Sequence, residues 1–332
     1  MLVASGTSIP LRTSVKYSWR ASLYSLTWQT LPKPEPAATL PVAAFICGYW
    51  RSGTTLLHEI LAQDSRWRAP TTQECMNPGQ HRPIAQRPKS VLRPMDNLTI
   101  GAESPQEDEF ALLALGAPSF YRVMLCPKAW ARQARELDAG FEPRIWEQRL
   151  LAMRELFGLL QAVDGRELLL KSPTHSFSLP RLLQAAPAAS AIVILRNWQA
   201  LWPSCWRMWT AMFNLYAIGP WDSRDVEGLV RTTYEMYARA VQDVTTTSAA
   251  SRVVAVRYED LIDSPTDVLR RIYSRFRWPL DDNLVRAAQK LMEATRPGPR
   301  GKDAIPSLSP ETSAVMSAAY DAICRSLSPM LA

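Results

Sequence analysis

The stretch VAAFICGYWRSGTTLLHEILAQD, residues 42–64, reads as a strand, a glycine-framed loop and a helix in direct succession. Residues 42–49 form a continuous apolar run, which is typical of a parallel strand that is buried on both faces. Residues 54–64 show the apolar spacing of a helix. Gly48 and Gly53 frame the loop and permit a tight turn there. The stretch therefore predicts a strand–loop–helix unit of an α/β protein.

The loop from Gly48 to Thr55 matches the phosphate-binding pattern G-x-x-x-x-G-K-[ST] at every fixed position except one. Backbone N–H groups at the start of such a helix point at a bound anion. Thr54 replaces the lysine that contacts the β- and γ-phosphates in nucleoside triphosphate enzymes, and no strand ends in an aspartate that would hold Mg²⁺. The loop carries its positive charge on Arg51 instead. We therefore expect an anionic ligand other than a nucleoside triphosphate.

Three further apolar runs have strand character, at residues 167–172, 190–197 and 251–260. Helical patterns follow them, at residues 178–186, after Arg196 and at residues 264–276. This alternation predicts right-handed crossovers and an α/β fold class, a P-loop-like three-layer sandwich with a central parallel sheet flanked by helices. Ligands bind outside the carboxyl ends of the strands in such sheets. Four polar residues fall at those ends, namely Arg51, Lys171, Arg196 and Tyr258.

Several blocks resemble one enzyme family. GYWRSGTTLL (48–57) is similar to the 5′-phosphosulfate-binding loop of the sulfotransferases that use 3′-phosphoadenosine 5′-phosphosulfate (PAPS), and ILRN (194–197) followed by Ser204 resembles their 3′-phosphate site. The blocks 103–112, 168–183 and 256–265 are similar to the bacterial and tyrosylprotein branches. The resemblance spans about residues 42 to 277 and implies transfer of the sulfuryl group of PAPS to a hydroxyl or an amine.

The resemblance also implies roles for individual residues. It implies that one group of residues binds the sulfuryl donor PAPS: Arg51, Ser52, Gly53, Thr54, Thr55, Arg196, Ser204 and Tyr258. The loop residues would hold the 5′-phosphosulfate, and the Arg196 guanidinium and the Ser204 hydroxyl would bind the 3′-phosphate. Tyr258 would lie against the nucleotide. Lys171, at the end of its strand, would be the catalytic cation at the bridging oxygen.

The general base has two candidates. Glu74 stands 23 residues after Arg51, and the tyrosylprotein branch has its glutamate base in the corresponding stretch. Near several cations its carboxylate would stay ionised, able to accept a proton but weakly basic. His175, four residues after Lys171, is the rival, because an imidazole titrates closer to neutral pH. The preference is Glu74, with His175 second and neither residue as the third alternative; His58 is expected to be structural.

Composition limits the remaining possibilities. The chain has 332 residues, with 38 Lys and Arg against 31 Asp and Glu, a net charge of +7 that suits an anionic ligand. No apolar run reaches the length of a membrane span, and no secretory signal is visible at the start. Five scattered cysteines favour a reducing, cytoplasmic location, and with only three histidines we expect no metal site. We expect no nucleic-acid partner, an N-terminal extension over residues 1–40 and one domain over residues 41–332.

The acceptor is the least determined part of the prediction. Four tryptophans at helical spacing, Trp198, Trp202, Trp206 and Trp209, form a stripe that is expected to pack in the core. The alternative is that the stripe lines a pocket for a bulky hydrophobic or lipid-like acceptor. Pro203 suggests that this helix starts near Trp202. Arg300 and Lys302 are weak candidates for a late loop at the 3′-phosphate. Two other readings stay open, a kinase-like nucleotide-dependent transferase and a non-catalytic nucleotide-binding protein.

Overall fold

The computed structural model of the protein describes residues 39–78, 91–92, 99–137, 142–294 and 305–331. The strands are β1 Val42–Gly48, β2 Trp67–Arg68, β3 Val91–Leu92, β4 Thr99–Ile100, β5 Glu167–Lys171, β6 Ser190–Leu195 and β7 Val253–Arg257. The helices of the first half are α1 Thr54–Leu61, α2 Thr72–Met76, α3 Asp108–Ala114, α4 Trp130–Leu137 and α5 Pro143–Gln161. Those of the second half are α6 Leu179–Ala185, α7 Trp198–Tyr216, α8 Ser223–Thr245, α9 Tyr258–Asp263, α10 Pro265–Phe276, α11 Asp282–Ala294 and α12 Pro310–Leu327.

The central sheet has the strand order β2-β5-β1-β6-β7, and every pairing in it is parallel. The register pairs Ile46 with Lys171 and Gly48 with Ile194. The carboxyl ends of β5, β1 and β6 therefore meet at one edge, and β1 delivers the glycine loop to the middle of it. The predicted fold class is confirmed, with the four predicted strands in place and the short edge strand β2 added.

Strand β1 alternates its side chains between two hydrophobic clusters, one on each face of the sheet. Phe45 and Cys47 belong to the larger cluster, which the residues of α5, α7, α8 and α12 complete. Ala44 and Ile46 belong to the smaller cluster, which α1, α10 and α11 cover. Burial on both faces makes β1 apolar along its whole length, and the two helical layers with the sheet between them form the three layers expected.

Helix α7 starts earlier than the sequence predicted. It begins at Trp198, because the Asn197 side chain accepts a hydrogen bond from the backbone N–H of Gln199 at 2.9 Å. Pro203 lies inside the helix, so the expected start near Trp202 is wrong. The carbonyl that loses its partner at Pro203 belongs to Gln199, which is exposed to water. Burial of Trp202 and Trp209 further along the helix offsets the cost of the proline.

Other boundaries also differ, and some predictions fall outside the described residues. Strand β7 ends at Arg257, so Tyr258 starts helix α9 instead of closing the strand, and Glu259 and Asp260 lie in the first turn of that helix. Nearly all of the predicted extension over residues 1–40 lies outside the described residues, as do Arg300 and Lys302. Leu40 is described; it is buried, and its N–H donates to the Ala185 carbonyl at 3.0 Å.

Candidate active site

The glycine loop between β1 and α1 keeps an unusual backbone. Gly48 and Gly53 have φ angles of +152° and +106°, and Arg51 has a φ of +69° in the left-handed region. A Cβ atom on Gly53 would collide with the Tyr258 ring, and one on Gly48 would lie 2.9 Å from the Ile194 carbonyl oxygen. A non-glycine residue in the left-handed conformation costs about 1 kcal/mol, so other contacts must hold Arg51 there.

Arg51 is held by the residues predicted for the 3′-phosphate. Its Nε donates to Ser204 Oγ at 2.9 Å, and the Arg196 guanidinium donates to the Arg51 carbonyl at 2.7 Å. The Tyr258 ring lies against the Arg196 guanidinium, with 4.1 Å from Cζ to the ring centroid. Four of the residues that were predicted to bind PAPS therefore contact one another, although they come from separate segments of the sequence.

The start of α1 is prepared for an anion. Gly53 occupies the N-cap position and no side chain caps it, while the first turn contains no acidic residue. The Ser52 hydroxyl oxygen is buried and has no hydrogen-bond partner among the described residues. An uncapped helix N-terminus attracts negative charge, and a buried hydroxyl without a partner is costly unless a ligand bonds to it. These features, with Arg51 nearby, fit a phosphosulfate group.

Lys171 ends strand β5 beside the loop. Its side chain is 1% exposed, and Nζ lies 3.5 Å from Thr55 Oγ1 and 2.8 Å from Glu107 Oε1. Glu107 lies in the block of residues 103–112 that resembles the bacterial and tyrosylprotein branches, and no role was predicted for it from the sequence. Pairing of an acidic residue with a buried strand-end lysine depends on the path of the loop before α3, which no local pattern reports.

Glu74 is engaged on both carboxylate oxygens. Oε1 accepts from Arg68, while Oε2 accepts from the Thr71 backbone N–H at 2.9 Å and the Thr71 hydroxyl at 3.0 Å. Thr71 and Glu74 form a reciprocal capping box at the start of α2. The Glu74 side chain is nevertheless 27% exposed. Its position is therefore fixed, and a face of the residue stays open to solvent.

The segment that carries Glu74 is tied to the segment that carries Glu107. Backbone hydrogen bonds join Thr72 to Ser104 at 2.8 Å and Gln106 to Pro70 at 2.8 Å. Cys75, next to Glu74, is buried, and burial is the main cause that raises the pKa of its thiol. The charges of Asp108, Glu74 and Glu107 raise this pKa further, and that of Lys171 lowers it. Because Glu107 also contacts Lys171 at 2.8 Å, these backbone bonds hold the Glu74 segment beside the segment that reaches the lysine.

His175, the second candidate for the base, lies in the interior of the protein. Its ring is fully buried, and Nε2 lies 2.9 Å from a carboxylate oxygen of the equally buried Asp108. The ring also packs edge-on against Phe45 in the core. The His175 ring thus contacts Asp108 and Phe45 inside the protein, whereas the Glu74 side chain is partly exposed, and His175 as the base stays a prediction.

His58 and Trp209 are packed inside the protein. His58 is buried in α1 and lies 3.3 Å from the Leu169 carbonyl oxygen through Nε2. Burial, and then the charge of Lys171, lower the pKa of His58 to about 3. Trp209 is 1% exposed and packs against the rings of Trp50 and Phe213. The expectation that the stripe packs in the core fits this arrangement, and an open pocket along it does not.

Fold and site together define a class: an α/β protein of P-loop-like fold whose glycine loop carries an arginine, Arg51, and has Thr54 at the position of the lysine of triphosphate enzymes. Comparison with known proteins makes the class specific. The model of the sulfotransferase family matches residues 43–282, and the chain belongs to that family.

Two kinds of relatives agree with this membership. The ω-hydroxy-β-dihydromenaquinone-9 sulfotransferase Stf3 of Mycobacterium bovis is 34% identical over 262 residues, which cover 74% of this chain and 66% of that protein. The chain thus spans slightly less than two thirds of that relative. The crystal structure of sulfotransferase STF1 from Mycobacterium tuberculosis superposes with a TM-score of 0.59 at 18% identity, over 96% of this chain and 84% of that one. STF9 from Mycobacterium avium gives a TM-score of 0.56 at 19% identity, over 95% and 82%.

Two observations concern possible further ligands. In the described ranges, no group of three or more His, Cys, Asp or Glu residues could hold a metal ion. None of the helices in the described part of the chain is long and apolar enough to cross a membrane.

Proposed function

We propose that this protein transfers the sulfuryl group of PAPS to a hydroxyl group of a hydrophobic, lipid-like acceptor. PAPS is in general the sulfate donor of the family to which the chain belongs. The observation that carries the proposal is the arginine-bearing loop and its bonds to Ser204 and Arg196. These bonds join the residues proposed for both phosphate ends of the donor.

The proposed roles follow from charge and position. Arg51 and the backbone N–H groups from Ser52 to Thr55 hold the phosphosulfate, with the Ser52 hydroxyl as a further donor. Arg196 and Ser204 bind the 3′-phosphate, and Tyr258 supports Arg196 from its ring face. The donor supplies the sulfuryl group, whose transfer leaves charge on the bridging oxygen. Lys171 stabilises that charge, because a cation held in a dry site is worth far more than one in water.

Glu74 is the proposed base. Its carboxylate is fixed by Thr71 and Arg68 and keeps an exposed face from which to accept the proton of the acceptor hydroxyl. Positioning of the two reactants contributes most of the rate in a transfer of this kind, so a weak but well-placed base suffices. No role for a metal is proposed.

The hydrophobic acceptor is suggested by the relative whose name gives a menaquinone derivative as its substrate. The exposed Met76, two residues after Glu74 on α2, supports it with an apolar side chain that is 43% exposed. The free thiols of all five cysteines accord with the cytoplasmic location that we propose.

One assay tests the proposal. The protein is given radiolabelled PAPS with a hydroxylated isoprenoid lipid in detergent, a short-chain alcohol and a phenol, and ATP with Mg²⁺ in parallel. We expect transfer from PAPS without added Mg²⁺, with a kcat/KM at least about tenfold higher for the lipid. Transfer from PAPS only to the short alcohol would contradict the acceptor class. Transfer from ATP alone would contradict the reaction.

A further inference from the structure

Lys171 is part of a series of hydrogen bonds that connects two places. One end is Thr55 in the first turn of α1, and the other end is Trp50 in the glycine loop. From Lys171 Nζ the series runs to Glu107 Oε1 at 2.8 Å, and Glu107 Oε2 accepts the hydroxyl proton of Tyr121. The Tyr121 oxygen in turn accepts from Trp50 Nε1 at 3.2 Å. Trp50 precedes Arg51 in the loop, and Thr55, 3.5 Å from Lys171 Nζ, lies in the first turn of α1.

The members of this series are shielded from water. Tyr121 and Trp50 are 5% and 3% exposed, and the Glu107 side chain is 14% exposed. Burial and the neighbouring Glu107 carboxylate raise the pKa of Tyr121 well above its usual value, so the phenol remains a hydrogen-bond donor. Hydrogen bonds to a charged acceptor in such surroundings are stronger than those in water.

The fold sets the position of Glu107 independently of Lys171. Its backbone N–H donates to the Gln106 side chain at 2.9 Å, and the Gln106 N–H donates to the Pro70 carbonyl at 2.8 Å. Glu107 then serves as the N-cap residue of α3. The carboxylate is thus held from its own backbone as well as by Tyr121, and it offers one fixed oxygen to a lysine that has four rotatable bonds.

We propose that Glu107 is a positioning residue for sulfuryl transfer, which with Tyr121 and Trp50 fixes the Lys171 ammonium against the glycine loop. This proposal rests on the proposed function, in which Lys171 acts on the bridging oxygen. A buried ammonium without a counter-charge is costly, and a flexible one loses its effect when it is displaced by 1 Å or so. Glu107 supplies both the counter-charge and the fixed location. Its ion pair with the Lys171 ammonium distinguishes it from the proposed base Glu74, which pairs with Arg68.

The test compares four variants of the full chain. Glu107→Gln removes the charge, Tyr121→Phe removes the outer hydrogen bond, Lys171→Met removes the cation, and the double variant E107Q/K171M removes both ends of the pair. Glu103→Gln is the matched control, because it makes the same change at an exposed position of the same block. For each we measure kcat with PAPS, the affinity for adenosine 3′,5′-bisphosphate and the melting temperature.

We expect Glu107→Gln to lower kcat by about tenfold to a hundredfold, with the bisphosphate affinity changed by less than about threefold. Tyr121→Phe should lower kcat by roughly threefold to tenfold, and Glu103→Gln should leave it unchanged. In the Lys171→Met background, Glu107→Gln should lower kcat by less than a further factor of about two, because Glu107 acts through the lysine. A merely structural role would instead lower kcat, bisphosphate affinity and melting temperature together.

Two results would overturn the proposal: wild-type kcat in Glu107→Gln, or a loss in the Lys171→Met background as large as in the wild type. If Glu107→Gln does not fold, Tyr121→Phe decides, and wild-type kcat in that variant overturns the proposal. A wild-type protein that transfers nothing from PAPS overturns the proposed function and this proposal together. An active wild type with unaffected variants overturns only this proposal.

Discussion

Arg51 combines a left-handed backbone with a charged side chain, and both are held by neighbours from other parts of the chain. The Arg196 guanidinium binds its carbonyl and Ser204 binds its Nε. Backbone strain of this kind is kept only where the surroundings enforce it, and it concentrates at functional sites. The loop is therefore shaped before any ligand arrives, which lowers the entropic cost of binding the donor.

Gly53 is predicted to tolerate no side chain. In Gly53→Ala the new methyl group meets the Tyr258 ring at a φ of +106°, so the ring or the loop must move. We expect the affinity for adenosine 3′,5′-bisphosphate to fall at least about tenfold, as titration calorimetry would measure. The matched control is Gly158→Ala in helix α5, where nothing lies near the new atom and stability should be equal or higher. Wild-type affinity in Gly53→Ala would show that the loop is not rigid.

Substitutions of Arg51 and Arg196 are predicted to affect different kinetic constants. Arg51→Ala should abolish transfer, a loss of at least about a hundredfold in kcat, because it removes the cation of the loop itself. Arg196→Ala should chiefly raise the KM for PAPS, by about tenfold to a hundredfold, through the loss of charged hydrogen bonds. Steady-state kinetics with both substrates varied separates the two effects. Equal and small effects of both substitutions would contradict the site assignment.

At the scale of elements, the sequence predicted strands better than helix ends. A parallel strand that is buried on both faces must be apolar throughout, so β1, β5, β6 and β7 were visible as runs of residues. Helix α7 was not, since its start depends on the Asn197 cap and its proline is offset by tertiary packing that no local pattern contains. Strand β2 has only two residues, Trp67 and Arg68, which is too short for any periodicity to show.

Helix α7 gives a prediction of its own. Trp209→Ala should destabilise the protein by about 3–5 kcal/mol, because the indole is buried against Trp50, Phe120 and Phe213. The KM for the acceptor should stay unchanged if the stripe is packing. Trp206→Ala, at a partly buried position on the same helix, should cost distinctly less. Chemical denaturation and steady-state kinetics provide the two readouts. An unchanged free energy of unfolding together with a raised KM for the acceptor would indicate that the tryptophan stripe lines the acceptor site.

At the scale of the whole molecule, the proximity of Arg51, Arg196 and Tyr258 was predictable, because each follows a strand whose carboxyl end lies at the same edge of the sheet. Ser204 joins this group from inside helix α7. The series of hydrogen bonds from Lys171 through Glu107 and Tyr121 to Trp50 was not predictable. It joins segments that are distant in sequence and that only the tertiary fold brings together. The contacts of His175 with Asp108 and Phe45 were not predictable for the same reason, because the three residues come from separate segments of the sequence.

Acid should destabilise the whole molecule through His58. The folded protein keeps this imidazole neutral down to about pH 3, while the unfolded chain takes up the proton near its ordinary value of 6.5. Protonation therefore favours unfolding as the pH falls below 6.5, at about 1.4 kcal/mol per pH unit. Between pH 7 and pH 5 we expect a loss of about 2 kcal/mol from this residue. Urea unfolding at both pH values, with His58→Gln as the comparison, measures it; equal pH dependence in the two proteins would contradict the assignment.

We expect the loop around Arg51 to bind a bisphosphorylated, sulfonate-carrying nucleotide and not a nucleoside triphosphate. Titration calorimetry of the wild-type protein with adenosine 3′,5′-bisphosphate, and separately with ATP and Mg²⁺, tests it most directly. We predict a dissociation constant in the micromolar range or below for the bisphosphate, which corresponds to a binding free energy on the order of −8 kcal/mol. The dissociation constant for ATP should be at least about a hundredfold higher. Tight binding of ATP with Mg²⁺, and none of the bisphosphate, would contradict the account.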